Sequence, residues 1–109
     1  MTIGRGQQEL QDLDLVFRAL AHESRRHILI VLNARGGKMS AGDIARRFSC
    51  SWPTTTRHLR TLEEAALVRV EREGREWVYV IATDHLREVV GGWLKWFETA
   101  NSEKSKKEK

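Results

Sequence analysis

Cysteine occurs once and proline once in this 109-residue chain. With Cys50 as the single thiol, an intrachain disulfide is excluded. No apolar run approaches the length of a membrane span, and no secretory leader is recognisable before the first helix. The chain is therefore expected in the cytoplasm, without membrane association. A glycine-rich phosphate loop, a nucleophile elbow and a repeated His/Asp/Glu pattern are all missing, so nothing supports an enzyme. Excess positive charge is also scarce. Of the net charge of +4, the segment 101–109 contributes +2 through four lysines and two glutamates, leaving +2 for the rest. A body this mildly basic binds nucleic acid only where its cations gather on one face.

What is present fits one small domain. A hydrophobic content of 40% supplies a single modest core. Residues 1–8 hold two glycines and few apolar side chains and are expected to be mobile, 9–100 to form the domain, and 101–109 to be a disordered Lys/Glu tail. That tail serves either solubility or weak contact with phosphates.

The informative stretch is 40–68. Ser40 is placed to cap a helix with Ile44, Ala45 and Phe48 on its apolar side. Ser49, Cys50 and Ser51 make a turn, and Pro53 sits just inside a second helix, where its missing N–H costs nothing. At 100° per residue, Thr55, Leu59, Leu62 and Ala66 share one side of that helix, and Thr54, Arg57, Arg60 and Thr61 fall largely on the other. Alone, this describes either an ordinary amphipathic helix or one suited to the major groove. The continuation decides between them. Leu67 to Arg72 alternates apolar and charged residues, Trp77 to Ile81 is β-branched and aromatic, and Gly74 between them suits a hairpin turn. A helix-turn-helix followed by a hairpin with arginines at its tip is a winged helix. The sequence thus predicts a mainly α fold with a β-hairpin (α+β), comprising five helices and one wing.

Three stretches, 17–29, 51–62 and 64–75, resemble the ArsR/SmtB winged-helix repressors. The family pattern at the reading helix is roughly Ser-Gln-Pro/Ser-x-Val-Ser-x-His-Leu, followed by Leu and by Glu-Ala-Gly-Leu-Val. Here Trp52 stands where Gln is usual, Thr55 where a small aliphatic is usual, and Ala66 where Gly ends the helix. Ala66 puts a left-handed helix cap in doubt, and Trp52 prevents any operator sequence from being carried over. The resemblance implies a homodimeric repressor of double-stranded DNA with a palindromic operator. Its candidate DNA-contacting residues are Ser51, Trp52, Thr54, Thr55, Thr56, Arg57, His58, Arg60 and Thr61 on the helix, with Arg72 and Arg75 on the wing. Trp52 is read either at the groove edge or partly buried on the preceding helix. His58 braces the helix or touches a phosphate.

The terminal helices are more apolar than one small domain needs, and they match the helices through which the family dimerises. Leu10, Leu13 and Phe17 at one end, and Leu86, Val89, Val90, Trp93 and Phe97 at the other, are the candidate dimer interface. Gly91-Gly92 reads either as a break in the last helix, begun by a cap at Thr83 or Asp84, or as a close approach to another backbone. Many family members sense metal through a Cys-x-Cys segment, but Ser40 and Gly42 occupy those positions. Asp84 and His85 are adjacent without a second histidine, so no metal and no cofactor is expected. A repressor relieved by an unidentified small molecule, interfacial metal or partner protein is the nearest alternative. A winged helix used only for protein–protein contact is another, disfavoured by the outward arginines.

Overall fold

The computed structural model describes residues 5–48 and 51–108, with side chains from Gly6 through Glu98 in these ranges. Cys50, expected in the turn of the motif, lies outside the described residues. The elements are α1 (Arg5–Leu20), α2 (Glu23–Ala34), β1 (Lys38–Ser40), α3 (Ala41–Phe48), α4 (Trp52–Glu64), β2 (Val68–Glu73), β3 (Glu76–Ile81) and α5 (Thr83–Glu108). The sheet is antiparallel in the order β1-β3-β2. This is the α+β winged helix expected, with the wing formed by β2 and β3.

One apolar core joins the layers. Val16 and Ala19 of α1, Ile28, Leu29, Val31 and Leu32 of α2, Ile44 of α3, and Leu59 and Leu62 of α4 are buried together with Leu67, Val68 and Ile81. The four buried positions of α2 follow helical spacing and leave Ile30 outside. Helices α1, α2 and α3 and strand β2 all pack on α4. Burying a side chain such as Leu59 or Leu62 contributes roughly 1.5–3 kcal/mol, so α4 is fixed by its inner side alone.

Both turns out of the buried helices are closed in the same way. After α2, Gly36 at φ +86 lets Gly37 N–H donate to the Leu32 carbonyl at 2.8 Å and Gly36 N–H to Asn33 at 3.4 Å. After α4, Leu67 N–H donates to Leu62 at 3.0 Å and Ala66 N–H to Glu63 at 2.9 Å. These paired bonds are the Schellman motif. The doubt about Ala66 is therefore corrected: the left-handed cap forms with Ala66 at φ +58, because burying Leu67 behind it outweighs the strain on its Cβ. The helix also ends earlier than the sequence suggests, so that Ala65, not Ala66, is the buried alanine.

The wing turns at Gly74-Arg75. Glu73 pairs with Glu76, Arg72 with Trp77 and Glu71 with Val78, and Gly74 has φ +63. Backbone bonds from Ile81 N–H to the Gly37 carbonyl and from Ala82 N–H to the Leu67 carbonyl, both 2.8 Å, fasten the far end of β3. Strand β1 is a third strand that the sequence did not disclose. It and β2 are the outer strands of the sheet, β1 only three residues long and β2 bearing Arg69, Glu71, Arg72 and Glu73.

Three boundaries differ from expectation. Helix α1 already runs from Arg5, inside the segment 1–8 read as mobile. Helix α5 begins with Thr83, its Leu86 N–H donating to Ala82, so neither Thr83 nor Asp84 precedes the helix as a cap. It then passes through Gly91-Gly92 without a break and continues through 101–108, where disorder is expected from composition. Two glycines cost roughly 1 kcal/mol each against alanine, too little to stop a helix anchored by Leu86, Val89 and Val90, and lysine and glutamate are good helix formers.

The strain at Ala66 sets one expectation. Ala66→Gly should stabilise the chain by about 1 kcal/mol, raising the melting temperature by roughly 4–8 °C at matched protein concentration. Thermal melts followed by circular dichroism measure it; an unchanged or lower midpoint would show that the φ +58 backbone carries no penalty.

Candidate nucleic-acid interface

Ser51 starts α4 in extended backbone. Its Oγ accepts from Thr54 N–H at 3.3 Å and donates to Thr54 Oγ1 at 2.8 Å, so the cap fixes the Thr54 side chain as well as the helix. Ser51, Trp52, Arg57 and Arg60 are exposed on the outer side, and Thr54, Thr56 and Thr61 are half-buried at its borders. Trp52 is 56% exposed.

Two candidates lie on the inner side of α4. Thr55 is 1% exposed, and its hydroxyl donates to the Ser51 carbonyl at 3.1 Å. His58 is 8% exposed and faces inward. Both lie on the side of α4 that packs on the core. Thr61 is also altered in kind: its hydroxyl donates to the Arg57 carbonyl at 3.1 Å, so it must turn before it can donate to a phosphate.

His58 instead belongs to a basic cluster beneath the helix. Its ring lies 4.5 Å from that of His22, which caps α2 by accepting from Ser24 N–H at 3.2 Å. Arg25 reaches into the same space. Its Nε donates to the Ala19 carbonyl at 2.7 Å, its Nη2 to Arg18 at 3.2 Å, and its Nη1 lies 3.3 Å from His58 Nδ1. Arg26 donates to the Leu20 carbonyl at 2.7 Å. The two arginines thus satisfy the last carbonyls of α1 with positive charge, where the helix dipole favours it. Arg25 additionally ties that helix end to α4. An arginine can donate only to an unprotonated Nδ1, and burial, followed by the charges of His22, Arg25 and Arg57, holds the His58 pKa below the usual histidine value.

At the wing, Arg75 is exposed with no hydrogen bond or ion pair among the described residues. Arg72 is held: its guanidinium carbon lies 4.7 Å from the centre of the Trp77 ring, and its Nε donates to the Gly74 carbonyl at 3.3 Å. Lys38 reaches from β1 to Glu73 at 2.7 Å, an ion pair that raises the lysine pKa and offsets the repulsion between the facing Glu73 and Glu76. Sequence reasoning missed Trp77 and Arg25. Trp77 was within reach, because a two-residue turn at Gly74-Arg75 places it opposite Arg72.

The terminal helices meet in the same chain. Phe17 packs edge-on against Trp93 with ring centres 5.1 Å apart, and Trp93 against Phe97 at 5.0 Å. Leu86, Val89 and Val90 are half-covered by the chain's own core, and Leu13 and Phe17 are half-buried. Leu10, Trp93, Leu94, Trp96 and Phe97 remain exposed, Trp96 by 79%. An open groove of about 400 Å³ between α1 and α5 is lined by Leu10, Leu13, Val89, Trp93 and Trp96. Ser40 Oγ accepts from Asp43 N–H at 3.1 Å as the cap of α3. Among the described residues, no three His, Cys, Asp or Glu side chains form a group that could hold a metal ion. No helix of the described chain is long and apolar enough to cross a membrane.

Residues 20–71 match a family described as a helix-turn-helix domain. The transcriptional repressor SdpR of Bacillus subtilis is 33% identical over 88 residues, which cover 81% of this chain and 96% of SdpR. Among solved structures, an ArsR-like transcriptional regulator from Rhodococcus superposes with a TM-score of 0.74 at 26% identity, covering 88% of this chain and 89% of the other. The homodimeric winged helix-turn-helix DNA-binding domain Mb0332 of Mycobacterium bovis, described as a possible ArsR-family regulator, does so with 0.68 at 27%, covering 90% of each.

The buried histidine makes stability depend on pH. With its pKa depressed by folding, His58 takes up its proton more readily in the unfolded chain. Its contribution is therefore complete above about pH 6.5 and is lost as pH falls below that value. Melting temperature should drop between neutral and mildly acidic pH, and His58→Gln, which keeps an acceptor for Arg25, should flatten that drop. Equal drops in both proteins would assign the effect to other groups.

Proposed function

The chain belongs to the ArsR/SmtB-type winged-helix transcriptional regulators, and on that premise we propose that it is a homodimeric repressor. Its two reading helices would engage an inverted-repeat operator, without a metal ion. The observation that carries this reading is the division of α4. Thr55, His58, Leu59 and Leu62 are locked into the core, while Trp52, Arg57 and Arg60 stand bare on the opposite side, beside a wing bearing Arg72 and Arg75. An interaction module has no need of that charged side.

Within this arrangement Thr54 and Arg57 face base edges, and Arg60 and Thr61 lie nearer the backbone. Ser51, Trp52 and Thr56 border them, and Trp52 fits a thymine methyl or the groove wall. The wing arginines reach phosphates or the minor groove. The partner copy covers α1 and α5, where Leu10, Trp96 and Phe97 are exposed beyond what a monomer accounts for. One helix reads only a few base pairs, and pairing two supplies affinity and selectivity. Metal independence rests on Ser40, whose oxygen is committed to capping α3, and on Gly42 at the second thiolate position.

The deciding experiment is selection from random duplex DNA with the full chain, run once with a chelator and once with zinc. An inverted repeat enriched equally in both is expected. No enrichment refutes DNA recognition, and enrichment abolished by zinc refutes metal independence. On the enriched duplex, Arg57→Ala should cost roughly 1–3 kcal/mol and relax preference at one position of each half-site. Uniform weakening on all sequences would make Arg57 a phosphate contact instead. Sedimentation tests the dimer: Trp96→Ala should weaken self-association by about 30-fold or more, the loss of an interface anchor worth ~2 kcal/mol. Unchanged self-association would place the interface elsewhere.

A further inference from the structure

Trp77 is 52% exposed on the wing, an unusual place for the largest side chain. It sits opposite Arg72 in the β2–β3 register and lies beneath that residue's guanidinium, 4.7 Å from ring centre to carbon. A second contact, from Arg72 Nε to the Gly74 carbonyl at 3.3 Å, fixes the rotation of the guanidinium group. One face and one of the five N–H donors are then occupied. The other four donors lie in the guanidinium plane on the two terminal nitrogens. Arg75, the second residue of the turn, has no such support among the described residues.

We infer that Trp77 is a positioning residue for DNA binding: it holds Arg72 in the conformation in which the wing meets the duplex. The inference rests on the proposed DNA-binding function and deepens it by separating the two wing arginines. A free arginine loses rotamer freedom on contact, whereas a stacked one has already lost much of it. Cation–π attraction holds the cation without consuming its in-plane donors, so the group remains available to phosphate oxygens or to acceptors on the minor-groove floor.

The test uses the full chain and a duplex enriched by the wild-type protein, titrated over a series of salt concentrations. Arg72→Gln, Trp77→Val, Trp77→Phe and the Arg72→Gln/Trp77→Val double variant are compared, with melting curves for each. Valine keeps strand propensity and removes the ring. Arg72→Gln should lower the salt slope by about one unit per wing. Trp77→Val, which leaves every charge in place, should weaken binding by about five- to twentyfold over the two wings of a dimer. It should do so with its melting curve unchanged, and the double variant should bind no worse than Arg72→Gln alone. Trp77→Phe should restore most of the affinity. Additive losses in the double variant, or wild-type affinity in Trp77→Val, overturn the inference. A Trp77→Val chain whose melting temperature falls together with its affinity also overturns it, since Trp77 would then serve hairpin stability. If no duplex is enriched, the DNA-binding reading fails and this inference with it; if one is enriched and Trp77→Val is silent, only the inference fails.

Discussion

A helix that presents one side to solvent can be held accurately only by what its other side does. In α4 that side carries Thr55, His58, Leu59 and Leu62, and α1, α2, α3 and β2 converge on it. Two of the four are polar, and both are satisfied internally: Thr55 by the Ser51 carbonyl, His58 by Arg25. Leaving either without a partner would cost about 1–3 kcal/mol of desolvation; the Thr55 bond is internal to α4, so it is the contact of His58 with Arg25 that joins the leucines in setting the rotation of the helix. The Schellman closure at Ala66 and the serine cap at Ser51 then fix its two ends, and the wing follows from where α4 stops.

Arg25 extends that constraint to the first helix. By donating to the carbonyls of Arg18 and Ala19 and meeting His58 Nδ1, one side chain spans the end of α1, the start of α2 and the middle of α4. The helix carrying Leu10 and Phe17 and the helix carrying Arg57 are thereby linked through a charged group, which has fewer acceptable positions than an apolar contact.

Much of this was legible in the residues. Periodicity separated Leu59 and Leu62 from Arg57 and Arg60, Ser40 and Pro53 marked the starts of α3 and α4, and Gly74 marked the wing turn. These are local signals, each set by a few neighbouring residues. The misses have other causes. Strand β1 is too short for a period to show, and it exists only because β3 lies beside it. Thr55 already fell on the apolar side of the helical projection, and its place among the DNA contacts came from family position. For His58 the sequence left bracing and phosphate contact open, because the groups around it, His22 and Arg25, are more than 30 residues away in sequence. At Ala66, tertiary burial of Leu67 overrode a residue preference.

The sheet's outer strands carry a consequence for crowding. A protein gathered at its target sites meets its own copies at high local concentration, where any open strand invites intermolecular pairing. Here β1 offers only three residues, and β2 alternates Arg69, Glu71, Arg72 and Glu73 along its length. Charges of both signs on a short edge make strand addition unfavourable. The wing can thus be exposed and rigid without becoming a seed for cross-β aggregation.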